Sequence, residues 1–257
     1  MLRQRIYPLL ALVLCAALLM GLCACSNDRP IDQYAPNKPL VEKIPQSSNP
    51  TEKPRPDLPD NPVDFTALQA EYPEAVAWIT IPGTRINYAV MRSGDNTPED
   101  YYLDRNEAGE KSKNGSIYMQ RYNVADFSDP NTILYGHYMA NGSMFADLHK
   151  FKKQAFFEEN QYLYVYTPGH ELIYHIYAVF TYGTEHLLWA YDFGTDEGYQ
   201  QFIDKTLNPQ VRTQQVREGV VPTTQDRVIT LSTCLSGDSG DGRLLMVAVL
   251  VDDTETK

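Results

Sequence analysis

Residues Arg227–Val251 read RVITLSTCLSGDSGDGRLLMVAVLV. Two apolar, β-branched runs, Val228–Leu231 and Leu244–Val251, flank a connection rich in Gly, Asp and Ser. Short apolar runs bounded by turn residues predict two buried strands joined as a hairpin with a long loop. Cys234 falls at the end of the first strand and Arg243 on the doorstep of the second, so the hairpin sets them face to face at its open end. A thiol opposite a guanidinium is a place for chemistry, provided that the rest of the chain supplies a base.

The chain has 257 residues, enough for one good-sized domain or two small ones, and a formal net charge of −11 with no basic cluster. Nucleic acid is therefore not an expected partner, because phosphate binding needs concentrated positive charge. Arg3 and Arg5 precede an uncharged apolar stretch from Ile6 to about Ala24. Residues 1–25 thus read as a signal peptide or a membrane anchor, with the arginines on the cytoplasmic side and the remainder exported. Small residues around Leu22-Cys23-Ala24-Cys25 resemble a bacterial lipobox in which Cys25 becomes the lipidated first residue. An uncleaved anchor helix is the other reading, and both tether the domain to the outer face of a membrane.

Cysteine usage sharpens the first observation. Cys15, Cys23 and Cys25 lie in the targeting segment, which leaves Cys234 as the only thiol of the exported part. It has no internal disulfide partner, so it is buried and inert, dimer-forming, or reactive.

Residues 26–62 hold nine of the seventeen prolines and read as an extended, disordered spacer. A domain over residues 63–257 follows. Asp64 is placed to cap a first helix through Tyr72. Strands are predicted at Val76–Ile81, Ile86–Met91, Ser116–Met119, Ile133–Tyr135, Tyr162–Thr167 and Leu172–Thr181. Ser143 reads as the cap of a helix over Met144–Lys150, with a second helical piece around Gln154–Glu159. Glu197–Leu207 has one apolar face at helical spacing. With the closing hairpin this makes about eight strands and few helices, a mainly β chain best accommodated as a closed or nearly closed barrel.

Thiol catalysis needs a proton partner and a donor for the oxyanion formed on attack. Of five histidines, His137 follows a strand through a glycine, a strand-end position that suits catalysis. His149 reads as a surface residue, His170 lies in a turn, His175 sits within a strand, and His186 falls in an unassigned loop. Arg243 is either a solvated charge, paired with Asp238 or Asp241, or a guanidinium aimed at a substrate carbonyl. Asp238 and Asp241 lack the spacing of a calcium loop, so no metal or other cofactor is expected.

Together these residues resemble the sortases. Thr230-Leu231-Ser232-Thr233-Cys234 with Arg243 nine residues on is similar to that family's TLxTC…R signature, and Tyr135-Gly136-His137 to its histidine motif. Asn131–Met139 continuing into Gly142-Ser143-Met144-Phe145 resembles class B in particular. The resemblance spans roughly residues 64–251. It implies an eight-stranded sortase-type barrel with N-terminal helices and a helix ahead of the cysteine strand. It also implies an extracytoplasmic cysteine transpeptidase, with Cys234 as nucleophile, His137 as general acid and base, and Arg243 binding substrate or stabilising the oxyanion. Asn96, Ser232 and Thr233 are weaker candidates for the peptide groove. The implied partners are surface proteins carrying an LPxTG- or NPQTN-like sorting signal, with an amine of a peptidoglycan precursor or a pilin as acceptor. The lipobox, and the lack of an acidic residue directly after Cys234, depart from the family pattern. Another exported thiol enzyme, a peptidase or L,D-transpeptidase, and a non-catalytic peptide- or wall-binding lipoprotein are the competing readings.

Overall fold

The computed structural model describes residues 29–36, 58–236 and 242–257. The apolar N-terminal segment with Cys25, most of the Pro-rich spacer, and Asp238 and Asp241 lie outside the described residues. Nine strands form within the unit Ile31–Lys257. They are β1 (Ala75–Thr80), β2 (Asn87–Arg92), β3 (Ile117–Met119), β4 (Asn131–Tyr135), β5 (Tyr162–Thr167), β6 (His170–Tyr182), β7 (Gln214–Val216), β8 (Val228–Cys234) and β9 (Arg243–Glu255). Eight of them close a ring in the order β5-β1-β2-β3-β4-β8-β9-β6, with β6 pairing back onto β5. β2–β3 and β4–β8 are parallel, and the other pairings are antiparallel. The predicted closed barrel is the observed one. β7, which the sequence did not reveal, pairs with Ala178–Phe180 of β6, beyond the residues of β6 that pair with β5.

Period-two patterning decides which side chains fill the barrel. Ile229 and Leu231 of β8, Leu244, Met246 and Ala248 of β9, and Leu134 of β4 pack in the interior with Ile79, Val90 and Val165. Their sequence neighbours Val228, Leu245, Val247 and Ile133 point outward, where Tyr199, Phe202 and Ile203 cover them. Those three residues lie on the helix Asp196–Leu207, the one expected before the cysteine strand. Thr195 caps it by accepting from the Gly198 N–H, a bond worth about 1 kcal/mol. On another outer face, Trp78, Met91 and Tyr166 are covered by Phe65 and Leu68 of the first helix, Phe65–Glu71. Asp64 caps that helix as predicted, accepting from the Ala67 N–H at 3.0 Å.

Two expectations change. Within the predicted spacer, Pro30–Tyr34 forms a 3₁₀ helix and buries Ile31 against Leu68 and Trp78, because one isoleucine finds an uncovered apolar face. Ser143 does not cap a helix at Met144. Its hydroxyl donates to Asn141 Oδ1 at 2.7 Å, Met144 takes φ 57°, and a 3₁₀ helix begins at Phe145 and runs to Lys152.

Candidate active site

In the β8–β9 ladder, Cys234 is the direct cross-strand partner of Arg243. Side-chain alternation puts both, with Ser232 and Leu245, on the outer face of the barrel. β4 lies on the other side of β8 with Tyr135 beside Ser232, and the Gly136 N–H donates to the Ser232 carbonyl at 3.2 Å. Pairing between β4 and β8 ends there, and His137 leaves the sheet at the level of the cysteine. Gly136 makes the turn possible, since a Cβ on it would stand 2.4 Å from Ile117 Cδ1 and 2.7 Å from Phe145 Cδ2.

Cys234, His137 and Arg243 line one cleft of about 320 Å³. One wall comes from Leu103 and Tyr118, the other from Tyr182 at the end of β6 and from His186 and Leu187 in the segment after it. Tyr118 and Tyr135 stack at 5.5 Å, and burial pushes both phenols well above the usual tyrosine range, with Arg243 pulling them the other way. A poorly hydrated cleft strengthens any charge–dipole contact made inside it. His137 Nε2 donates to the Leu103 carbonyl at 2.7 Å, because a carbonyl can only accept. That bond places a proton on Nε2 and leaves Nδ1 as the nitrogen that can take another. Arg243 Nη1 donates to the Gly242 carbonyl at 3.1 Å. Among the described residues no carboxylate pairs with this guanidinium.

The weaker candidates divide. Ser232 lines the cleft from the outer face. Thr233 borders it too, but strand parity turns its side chain inward opposite Leu244, and its buried Oγ1 has no partner. Asn96 is exposed on the loop after β2 and does not line the cleft. The direction of a long connection is not legible in sequence. Two histidines that the sequence does not single out belong here. His186 lines the cleft, donates to Gln120 Oε1 at 2.8 Å and stacks on Trp189, while burial lowers its pKa. His149 is half-buried rather than a surface residue, and its Nε2 lies 3.0 Å from the Cys234 carbonyl oxygen.

A thiol, an imidazole and a guanidinium on one side of a closed barrel define a cysteine acyl-transfer site. The model of the sortase domain matches residues 79–251. The chain is 35% identical over 188 residues to sortase B of Listeria monocytogenes, covering 72% of each protein. It is 29% identical to sortase B of Staphylococcus aureus over 73% of this chain and 74% of that one. Sortase B from B. anthracis in complex with AAEK1 superposes with a TM-score of 0.65 at 35% identity, over 77% of this chain and 89% of that structure. The Staphylococcus aureus sortase B–substrate complex gives 0.63 at 30% identity, over 73% and 84%. The chain belongs to the sortase family, as a class B-like member, and with it to the cysteine transpeptidases.

Proposed function

We propose that the protein works outside the cell membrane, cleaving an LPxTG- or NPQTN-like sorting signal after its threonine and joining the upstream protein to an amine. Cys234 Sγ attacks the threonine carbonyl carbon, and Arg243 donates to the oxygen on which charge develops. His137 protonates the leaving nitrogen as the C–N bond breaks, and a thioester to Cys234 remains. An amine of a peptidoglycan precursor or a pilin then attacks the thioester carbon. His137 takes the amine's proton, and Cys234 leaves as the thiolate. The observation that carries this reading is the Cys234–Arg243 cross-strand pair opening into the cleft that His137 also lines.

The test is turnover of a fluorogenic sorting peptide with and without an added amine. Cys234→Ala is expected to abolish cleavage, and the added amine to convert hydrolysis product into amide product. Unchanged turnover in C234A would remove the assignment.

Tethering is part of the same reading. It rests on Arg3 and Arg5 ahead of the Ile6–Ala24 apolar run, and on the Pro-rich spacer that follows. Fatty-acid labelling of cells that is lost in Cys25→Ser marks the lipoprotein form. Retention of residues 1–24 in the mature chain marks the anchor helix.

A further inference from the structure

The Cys234–Arg243 pair is of the non-hydrogen-bonded kind, since the Leu235 N–H donates to the Gly242 carbonyl one residue beyond on each strand. The Cys234 carbonyl therefore points away from β9, toward the β4 side of β8. In a parallel ladder whose Ser232 carbonyl is met by the Gly136 N–H, the Cys234 carbonyl would be met by the N–H of Tyr138. β4 has already ended at Tyr135. A carbonyl at the edge of a buried site without a donor is costly.

His149 supplies the donor. Its Nε2 is 3.0 Å from the Cys234 oxygen, its Nδ1 is 2.9 Å from Lys152 Nζ, and its ring stacks on Tyr138 at 4.2 Å. Lysine ammonium only donates, so Nδ1 accepts and the proton must sit on Nε2, facing the carbonyl. Burial holds this imidazole below the usual histidine pKa, the Lys152 charge acts in the same direction, and the Cys234 carbonyl opposes both. The neutral ring with its proton on Nε2 is thus the form that the surroundings favour.

We infer that His149, set in one tautomer by Lys152, is a positioning residue that replaces the missing β4 donor and holds the peptide group after Cys234. With the Leu235 N–H bound to Gly242 and the Cys234 carbonyl bound to His149, that peptide plane is held from both sides. The thiol's direction depends on it, because rotation of the plane at a strand's last residue swings the adjoining side chain. This inference rests on the reading of Cys234 as the nucleophile.

The test compares His149→Phe, which keeps a ring on Tyr138 but has no donor, with His149→Gln, whose amide N–H reaches toward the same carbonyl. Misplacing a reacting group by about 1 Å costs roughly 100-fold in rate, so H149F is expected to lose about that factor in kcat with KM little changed. H149Q should recover at least about 10-fold of it, as expected for a donor restored in less ideal geometry. The carbonyl carbon NMR shift of Cys234 should move in H149F and return toward wild type in H149Q. Wild-type kcat in H149F, equal impairment of both variants, or an unmoved carbonyl shift would each overturn the inference. Retained turnover in C234A with the shift still responding to H149F would instead sink the nucleophile assignment and leave the hydrogen bond standing.

Discussion

Cys234 and Arg243 face each other across the last two strands of a closed barrel, on its outer face, where both line one cleft. Opposed residues of the non-hydrogen-bonded kind lie about 4.5 Å apart at Cα, so both side chains emerge into one small volume. That volume is bordered by His137, which reaches it from β4 only because Gly136 admits a turn against Phe145.

The guanidinium is the first element to test. Arg243 points into the cleft with Nη1 on the Gly242 carbonyl and no carboxylate partner among the described residues. A donor aimed at developing charge is worth roughly 100- to 1,000-fold in kcat. Arg243→Lys should lose about 100-fold, because a point charge does not reproduce a planar fork. Steady-state kinetics checks the mode of action. An equal fall in kcat and kcat/KM marks a contact made in the transition state, and a rise in KM alone marks substrate binding.

Gly136 should tolerate no side chain. The nearest atoms to an added Cβ belong to Ile117 and Phe145, both fully buried in the barrel core, so neither can retreat into solvent. Gly136→Ala is expected to cost about 1–3 kcal/mol through overpacking. It should also lower turnover more than this loss of stability explains, because the displaced strand end carries His137. Thermal unfolding and peptide cleavage measured on the same preparation separate the two effects.

The hairpin was the most legible part of the chain. Cys234 and Arg243 end two runs whose alternation requires them to share a face, and a one-residue slip would bury one of them. Strand positions elsewhere followed from apolar runs, with ends shifted by one or two residues. Other features left no pattern to read. β7 is three residues with a single apolar side chain. Ile31 is one apolar residue in a proline-rich tract. His149 meets Cys234 across 85 positions and through a backbone carbonyl, which imposes no residue type at position 234. Asn96 shows the converse, since a suitable residue type on a loop says nothing about where the loop points, and this one stands outside the cleft lining.

Ile31 leads to a prediction about the segment ahead of the barrel. It is 1% exposed and packs with Leu68 and Trp78, while Tyr34 Oη donates to Glu71 Oε2 at 2.8 Å. Ile31→Ala in the full chain should destabilise it by about 2–4 kcal/mol, the usual range for deleting a buried isoleucine side chain. Urea unfolding with an unchanged m-value is the expected signature. An unshifted midpoint would mean that this turn contributes nothing to the fold.

Asp147 ties the 3₁₀ helix that carries His149 to the turn between β1 and β2. Its carboxylate accepts from the Arg85 N–H at 2.8 Å and from Lys150 Nζ at 2.9 Å while itself only 4% exposed. Burial pushes its pKa up, but the Lys150 bond, the Arg85 N–H and the two positive charges outweigh burial and leave it below the ordinary aspartate value. A depressed folded-state pKa contributes stability above the unfolded-state value of about 3.9 and loses it as pH falls through the folded one. Asp147→Asn should therefore cost about 1–2 kcal/mol at neutral pH, a modest figure because Arg85 and Lys150 are solvent-exposed. The gap between variant and wild type should narrow as pH drops below about 4. Parallel urea titrations at pH 7 and pH 3.5 check both the size and the sign, and a gap that widened in acid would contradict this account of Asp147.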